Sequence, residues 1–552
     1  MRFQAKYKEI QTKVLLYMQD EVNRYRIITL IVFLGIITIL AWQSDDAYHA
    51  YVMAKNLVLG DGFVYNVGER ASATSCPLFT LIIAFGYFFI RKMFVVSLLI
   101  CILFSGLAYK ILCHDFCRTK KQVFLAFIIL LGSFIFISYT TSGLENCLLY
   151  FLSALFLKYY FKTETYNGRT LFIMAILISL IAMTRMDSVL MFIPMIIYIY
   201  LSKRNNVSFF KAAIYGFLGL MPFILWILFS VFYYGFPFPN TAYVKLGTEI
   251  PFKDYFYRGL QYIITSSITD LLLLLIPATM VIMTIIVKKA RYLYISAGII
   301  LYVIYLIRIG GDFMVGRHFT VLFFIALCTY FNMENERFGA YKNPDKLKNS
   351  FLVIAMIGLI YAGTMQVITS QFLFGNVFNS PIADERGGYF RFTSLFNNAI
   401  SVATTGEMVI RNAWNEEGVE ELRGYGIESG ILEMVPGITK YYNNDMYLND
   451  LYALGDPFLS KLPAVREDNW RIGHMWREPP AGYGDTVIYG KNIIENKDIA
   501  EYYEIIKLIT RGDLFSKERI SAIVRINMGQ YDYLIENYKN TLDENCQQIT
   551  EE

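Results

Sequence analysis

Charge is what this chain has least of. Lys, Arg, Asp and Glu together make up 17% of its 552 residues, where soluble domains carry about a quarter. The formal balance of +4 is too slight to mark a nucleic-acid binder. Seven cysteines are scattered, most of them in apolar runs, and Cys113 and Cys117 lack the spacing of a zinc ribbon. Neither a disulfide framework nor a metal knuckle is therefore supported. The first apolar run lacks a small-residue cleavage site, so no cleavable signal peptide is expected. No glycine-rich nucleotide loop is visible either. What is present is apolar: 55% hydrophobic residues and a mean hydropathy of +0.41. A disordered chain, a collagen and a small secreted scaffold are excluded, and a multi-span membrane protein is expected.

The apolar runs stop near Ser370. Before it, windows long enough to cross a ~30 Å hydrocarbon core recur; from Gln371 to Glu552 none does. That tail carries 17 basic and 28 acidic residues, net −11, against +15 for the first 370 residues. The contrast predicts three parts: a cytoplasmic leader over 1–26, a transmembrane domain over 27–370, and a soluble water-facing domain over 371–552. The leader's Arg2, Lys6, Lys8, Lys13, Arg24 and Arg26 place the N-terminus inside, as do the basic connections Lys203–Lys211, Lys288–Arg291 and Arg337–Lys348. The loop over 43–76, Tyr234–Arg258, Ile309–His318 and the tail then fall outside. Twelve apolar segments would return the tail to the cytoplasm, so about eleven crossings are expected, with one short segment re-entrant or lying along the surface.

Polar residues collect on that expected outer side. The loop after the first span reads Ser44-Asp45-Asp46-Ala47-Tyr48-His49, and acids at the lip of a span are costly to desolvate. They read equally well as first-turn anions of a helix capped by Ser44 and closed by Gly60. On such a helix Asp45, His49, Val52 and Asn56 share a polar face, so spacing favours Asp45 over Asp46 as the acid facing an aqueous cleft. Four more clusters interrupt apolar sequence: Ser142-Gly143-Leu144-Glu145; Thr184-Arg185-Met186-Asp187; the stretch from Tyr234 through Pro239-Asn240-Thr241 to Lys245; and Gly310-Gly311-Asp312 with Gly316-Arg317-His318. Each alone reads as a turn, a neutralised pair or a snorkelling cation. Together they suit an anionic, lipid-linked substrate.

The order and wording of these motifs resemble the GT-C glycosyltransferases that use polyprenyl-phosphate sugars, in particular their terminal arabinofuranosyltransferase-like branch. The resemblance runs from about residue 40 to 490. It takes in Asp45-Asp46-Ala47-Tyr48, Ala54-Lys55-Asn56-Leu57, Gly60-Asp61-Gly62-Phe63-Val64-Tyr65-Asn66 and Gly68-Glu69-Arg70, then the four clusters above. The tail adds Asp450-Leu451-Tyr452-Ala453-Leu454-Gly455-Asp456-Pro457, Arg471-Ile472-Gly473-His474 and Pro479-Pro480-Ala481-Gly482-Tyr483. Met186 stands where the family usually has proline, Ala453 where it usually has glycine, and Cys76-Pro77 also differs. The donor sugar and acceptor stay open.

The resemblance implies a GT-C fold: an α-helical multi-span membrane domain followed by a soluble mixed α/β or β-rich, carbohydrate-binding-like C-terminal domain. It implies an inverting enzyme of the cytoplasmic (inner) membrane, active on the periplasmic or extracellular side. There a sugar, arabinofuranose or a related unit, would pass from a polyprenyl-phosphate donor to a cell-envelope glycan acceptor. Asp45 or Asp46 would be the general base. Lys245, Arg317, His318 and, more weakly, Arg185 would meet the donor phosphate. His49, Glu145, Asp187, Asn240 and Asp312 would bind sugar or orient these groups. The expected partners are the bilayer, the lipid-linked sugar and the glycan, with no nucleic acid. No cofactor is required by such a reaction, although Asp45, Asp46 and His49 could take a divalent cation. Trp414, Trp470 and Trp476 suit either glycan stacking or a tail core, and Ile499–Leu508 and Arg519–Tyr538 read as amphipathic helices. A polyprenyl-lipid transporter or flippase, or a non-catalytic envelope-assembly scaffold, is the alternative.

Overall fold

Helices account for most of the computed structural model, which describes residues 19–202, 206–246, 248, 250–339, 341–372, 380–412, 417–465 and 470–551. Arg2, Lys6, Lys8, Lys13, Lys203 and Trp414 lie outside the described residues. Five helices are long and apolar enough to cross a bilayer: Glu21–Ile39, Met93–Phe116, Phe209–Tyr234, Ala290–Arg308 and Pro344–Thr364. Two sharply bent pairs raise the count to seven if each is one span. Four shorter apolar helices stand beside them, Pro77–Ile90, Gly168–Thr184, Met186–Leu201 and Phe319–Asn335. The chain is thus a helical membrane protein, while eleven crossings go beyond what these lengths establish. The only strands among the described residues are Ser429–Leu432 and Tyr447–Asp450, a parallel pair in register Ser429↔Tyr447. The β-rich alternative for the tail therefore lacks its strands among the described residues.

Contacts divide the chain into two compact units, each discontinuous in sequence. The first comprises Met1–Gln43, Ser97–Leu220 and Phe256–Ile400. Its centre is helix Phe319–Asn335, buried on every side from Phe319 through Phe331, as a helix apolar all round must be. The two bent pairs are in this unit. Lys120–Gly132 turns by 87° into Phe134–Thr140, and Phe252–Thr269 by 105° into Leu272–Val287, where the apolar segments over 122–140 and 262–287 each read as one span. Breaking a helix exposes N-terminal amides that need acceptors. One buried carboxylate serves both breaks. Asp270 accepts from Ser133 Oγ at 2.6 Å and Ile135 N at 3.1 Å on one side, and from Leu272 N at 3.2 Å on the other.

The second unit comprises Ser44–Val96, Met221–Tyr255 and Ser401–Glu552. A cut at residue 370 does not follow this line, because the loop after the first span belongs with the tail. Asn66 shows why: its Nδ2 donates to the Leu448 carbonyl at 3.1 Å and its Oδ1 accepts from Leu448 N at 3.2 Å. Glu69 accepts from Arg511 Nε at 3.0 Å and Tyr447 OH at 2.7 Å. The loop after Gly60 is thus clamped to the tail by side-chain hydrogen bonds. Phe236 and Val244 pack into the main core with Phe458, Tyr483, Tyr502 and Ile509. The expected helix over Arg519–Tyr538 is two, Lys517–Asn527 and Asp532–Glu551, parted at Gly529, whose φ of +73° favours glycine.

Candidate functional site

In the second unit, helix Asp46–Leu59 closes at Gly60 with φ +95°, as its sequence predicts. Its start departs from expectation. Ser44 does not cap it; Asp45 holds the cap position and makes no side-chain bond to its own helix. Its carboxylate instead caps helix Gly437–Tyr442, Oδ2 accepting from Gly437 N and Oδ1 from Ile438 N, both at 2.9 Å. A Cβ on residue 437 would lie 2.5 Å from the Asp45 carbonyl oxygen, so this approach requires glycine. Burial pushes Asp45 up to about 6, against the pull of His49 and the two amides. Asp46 is the less buried of the pair. Spacing had favoured Asp45 as the acid in an open cleft; its oxygens are instead committed to backbone, and Asp46 is the more accessible carboxylate.

His49 is buried with Nδ1 3.1 Å from Tyr65 OH, and burial lowers its pKa although Asp45 raises it. Ligand atoms of Asp45, Asp46 and His49 lie within 4.8 Å of one another, close enough for one divalent cation. A cation there would share Asp45 with two amides. Asn240 is buried: its backbone N donates to Ser72 O at 2.9 Å, and its Nδ2 has no hydrogen-bond partner among the described residues.

His474 belongs to the site although nothing in its local sequence marks it. Burial drops its pKa to about 4, so the ring is neutral near pH 7; Asp46 draws that value up, while Arg471 and Lys245 press it down. Three charges the sequence spreads over 425 positions thus act on one imidazole. Lys245 reaches this place across Gly473, where φ is +79° and a Cβ would stand 3.2 Å from Lys245 Cε. Tyr452 meets the His474 ring edge-on at 5.2 Å and the Trp476 ring at 6.4 Å. Tyr452 is presented by a loop tied down at both ends. Asp450 accepts from Val435 N and Ala453 N, Asp456 from Phe458 N and Leu459 N. Ala453, where the resembled family has glycine, sits at φ +58°. Trp470 packs in a core with Ile472 and Met475, so of the tryptophans in the described tail only Trp476 flanks the imidazole.

The first unit holds the remaining expected residues in one ion-pair network. Glu145 starts helix Asn146–Lys162 and accepts from Arg185 Nη1 at 2.9 Å and from Arg317 Nη2 at 2.9 and 3.0 Å. Arg185 also donates from Nε to Asp187 at 3.0 Å and lies 3.0 Å from His318 Nε2. Asp312 stands 3.2 Å from that same His318 nitrogen. Tyr302 OH lies 2.8 Å from His318 Nδ1, a partner the sequence did not single out. Glu145, Asp312, Arg317 and His318 are buried, whereas Arg185 and Asp187 keep 15% of their side chains exposed. Three carboxylates against two guanidiniums leave the network net negative unless His318 is protonated. Its arginines are already engaged. Gly311, at φ +78°, lets this loop run against Tyr262, into which a Cβ would drive at 2.4 Å.

No protein-family profile, curated protein or solved structure matches the chain.

Proposed function

We propose that the chain is an integral-membrane, inverting glycosyltransferase of the GT-C type that moves a sugar from a polyprenyl-phosphate donor to a cell-envelope glycan. One observation carries the reading: an accessible carboxylate, Asp46, acts with Lys245 and Arg471 on a single neutral imidazole beside the aromatic rings of Tyr452 and Trp476. That is the polar equipment a sugar phosphate needs, with an acid for the incoming hydroxyl, cations for the departing phosphate and rings for a pyranose or furanose face.

In this reading the acceptor hydroxyl oxygen forms a bond to the anomeric carbon as the bond from that carbon to the phosphate oxygen breaks. Asp46 takes the hydroxyl proton, because a sugar hydroxyl is a poor nucleophile until that proton begins to leave. The polyprenyl phosphate departs with the bonding pair, its charge met by Lys245 and Arg471. Asp45 is a positioning residue, holding the start of the Asp46 helix to Gly437 and Ile438. In the first unit Arg185, being partly exposed, is kept as a candidate anion contact, while Arg317 and His318, buried and engaged by Glu145 and Asp312, hold its network in shape. His49 and Asn240 fit structural roles better than sugar contact, since both are buried. Eleven crossings and a periplasmic or extracellular active side belong to the same proposal.

The second reading, a transporter of lipid-linked sugar, is favoured by the two broken spans that share Asp270, since discontinuous helices are a transporter device. Purified protein offered radiolabelled polyprenyl-phosphate sugars and membrane glycan extract separates the readings. Label is expected to reach glycan, and Asp46→Asn to cut turnover about 10²-fold or more while donor binding persists. Donor binding with no transfer by the wild type, for every donor, overturns the transferase in favour of transport or scaffolding. Transfer that survives in Asp46→Asn overturns the assigned base.

A further inference from the structure

Helix Lys517–Asn527 carries an apolar stripe that nothing in the chain's chemistry so far explains. Ile520, Val524 and Met528 recur at i, i+4 and i+8 and so share one face. Together with Phe515 they are 42 to 73% exposed. The opposite side of the helix is firmly seated: Ala522 and Ile523 are buried in the tail core.

What this helix is seated on is the end of a candidate membrane span. The last carbonyls of any helix lack intrahelical donors, and for Phe209–Tyr234 the tail supplies them. Arg519, fully buried, donates through Nη2 to the carbonyls of Phe232 and Tyr233, both at 2.8 Å. Asn527 Nδ2 donates to the Gly235 carbonyl at 2.8 Å. Phe515 packs on Phe232 with ring centroids 5.6 Å apart. The stripe thus continues the exposed apolar surface of the span, where Leu228 is 59% exposed. A helix of 26 residues is about 39 Å long, longer than the ~30 Å hydrocarbon core. Its Tyr234 end therefore emerges in the headgroup zone, and Lys517–Asn527 is fixed at that depth.

We propose that Lys517–Asn527 is an interfacial anchor, lying on the bilayer surface at the exit of Phe209–Tyr234 with Phe515, Ile520, Val524 and Met528 sunk among the lipid headgroups and first methylenes. Exposed Lys517 and Arg525 flank the stripe and suit lipid phosphates. The occupant is the phospholipid surface itself, because the stripe is continuous with a face that lipid already covers. The anchor stands on the spanning role of Phe209–Tyr234 and is independent of glycosyl transfer.

The test uses the full chain in phosphatidylcholine–phosphatidylglycerol nanodiscs, with an environment-sensitive fluorophore on Val524→Cys or, as the solvent-facing control, Glu518→Cys. The background is Cys546→Ser; the other six cysteines are buried. The Val524 probe is expected to lose roughly half its emission to shallow nitroxide lipid, and to be at least about threefold less open to aqueous iodide than the Glu518 probe, as insertion by ~5–10 Å requires. Equal iodide access at both sites with no lipid quenching overturns the anchor. Iodide protection without lipid quenching also overturns it: if it follows the number of copies per disc the stripe is a dimer face, and if it does not, another part of the chain covers it.

Discussion

The two polar clusters are built from the same residue types and differ in what their charges are doing. In the first unit, Glu145 lies between Arg185 and Arg317, and Asp187 and Asp312 approach the remaining donors, so guanidinium and carboxylate satisfy each other in a buried place. In the second, Asp46, Lys245 and Arg471 bear on His474 from different segments at a less enclosed place. A closed network holds a shape, because removing any member strands another in low dielectric. A looser group of charges can exchange water for a ligand at smaller cost. The comparison teaches that counting bases in a motif does not count phosphate ligands; how deeply each base is buried, and the cost of stranding what it holds, decide which of them a ligand can recruit.

The hardest blow to that contrast is Glu145→Ala. It leaves buried Arg317 and partly exposed Arg185 without their shared carboxylate and should cost about 3–5 kcal/mol, read as a large fall in thermal stability in detergent. Lys245→Ala and Arg471→Ala should each move stability by less than ~1 kcal/mol while raising the apparent donor KM. If the two classes of variant behave alike, the distinction fails.

Gly437→Ala comes next. Its methyl meets the Asp45 carbonyl, and overpacking of this kind costs ~1–3 kcal/mol. Transfer should drop with it, because the start of the Asp46 helix is displaced; intact turnover would remove Asp45 from any positioning role.

A smaller effect sharpens the picture of His474. Its folded pKa of about 4 lies below the ordinary 6.5, so the unfolded chain binds the extra proton in that window and stability from this residue falls as pH drops from about 6.5 toward 4. The buried acids Asp45, Asp450 and Asp456, raised to about 6, 7 and 6, act in the opposite sense. The difference in Tm between wild type and His474→Gln, followed across that range, isolates the imidazole: it should shrink or reverse as pH falls. The smallest change is expected from Ala453→Gly. Relief of a left-handed φ, ~1–2 kcal/mol, is offset by glycine's chain entropy, ~0.5–1 kcal/mol, and by the lost buried methyl. The net shift should stay under about 1 kcal/mol.

Much of the fold could be read from residue order because it is written in local signals. Apolar run length marks the candidate spans, Gly60 ends a helix with the φ only glycine favours, and the motif residues Glu145, Arg185, Asp187, Asp312, Arg317 and His318 do come together. What could not be read depends on partners far away in the chain. Asp45 looked like a first-turn acid beside a cleft because its acceptor role is filled by amides 392 and 393 positions later. The loop after the first span reads as a connection until Asn66 and Glu69 are seen gripping Leu448 and Arg511. The two bends are only partly written in local sequence: Gly132-Ser133 and the polar run Thr265-Ser266-Ser267-Ile268-Thr269-Asp270 interrupt apolar stretches, but that Ser133 and Asp270 meet cannot be read from residue order. His474 stands in a motif that does not by itself mark a site, because its neighbours Asp46 and Lys245 lie hundreds of residues upstream.

That shared carboxylate between the bent spans has a consequence for the order in which the protein is made. Ser133 and Asp270 are 137 residues apart, roughly ten seconds of synthesis at ~5–20 residues per second. Until Asp270 arrives, the amide of Ile135 has no acceptor from it, and the first bend rests on Ser133 alone, whose Oγ accepts from Phe136 N at 3.3 Å. The first bend is therefore expected to be completed only after the second has followed it into the membrane. The architecture of the first unit is in this sense decided retroactively, by a residue that emerges halfway through translation.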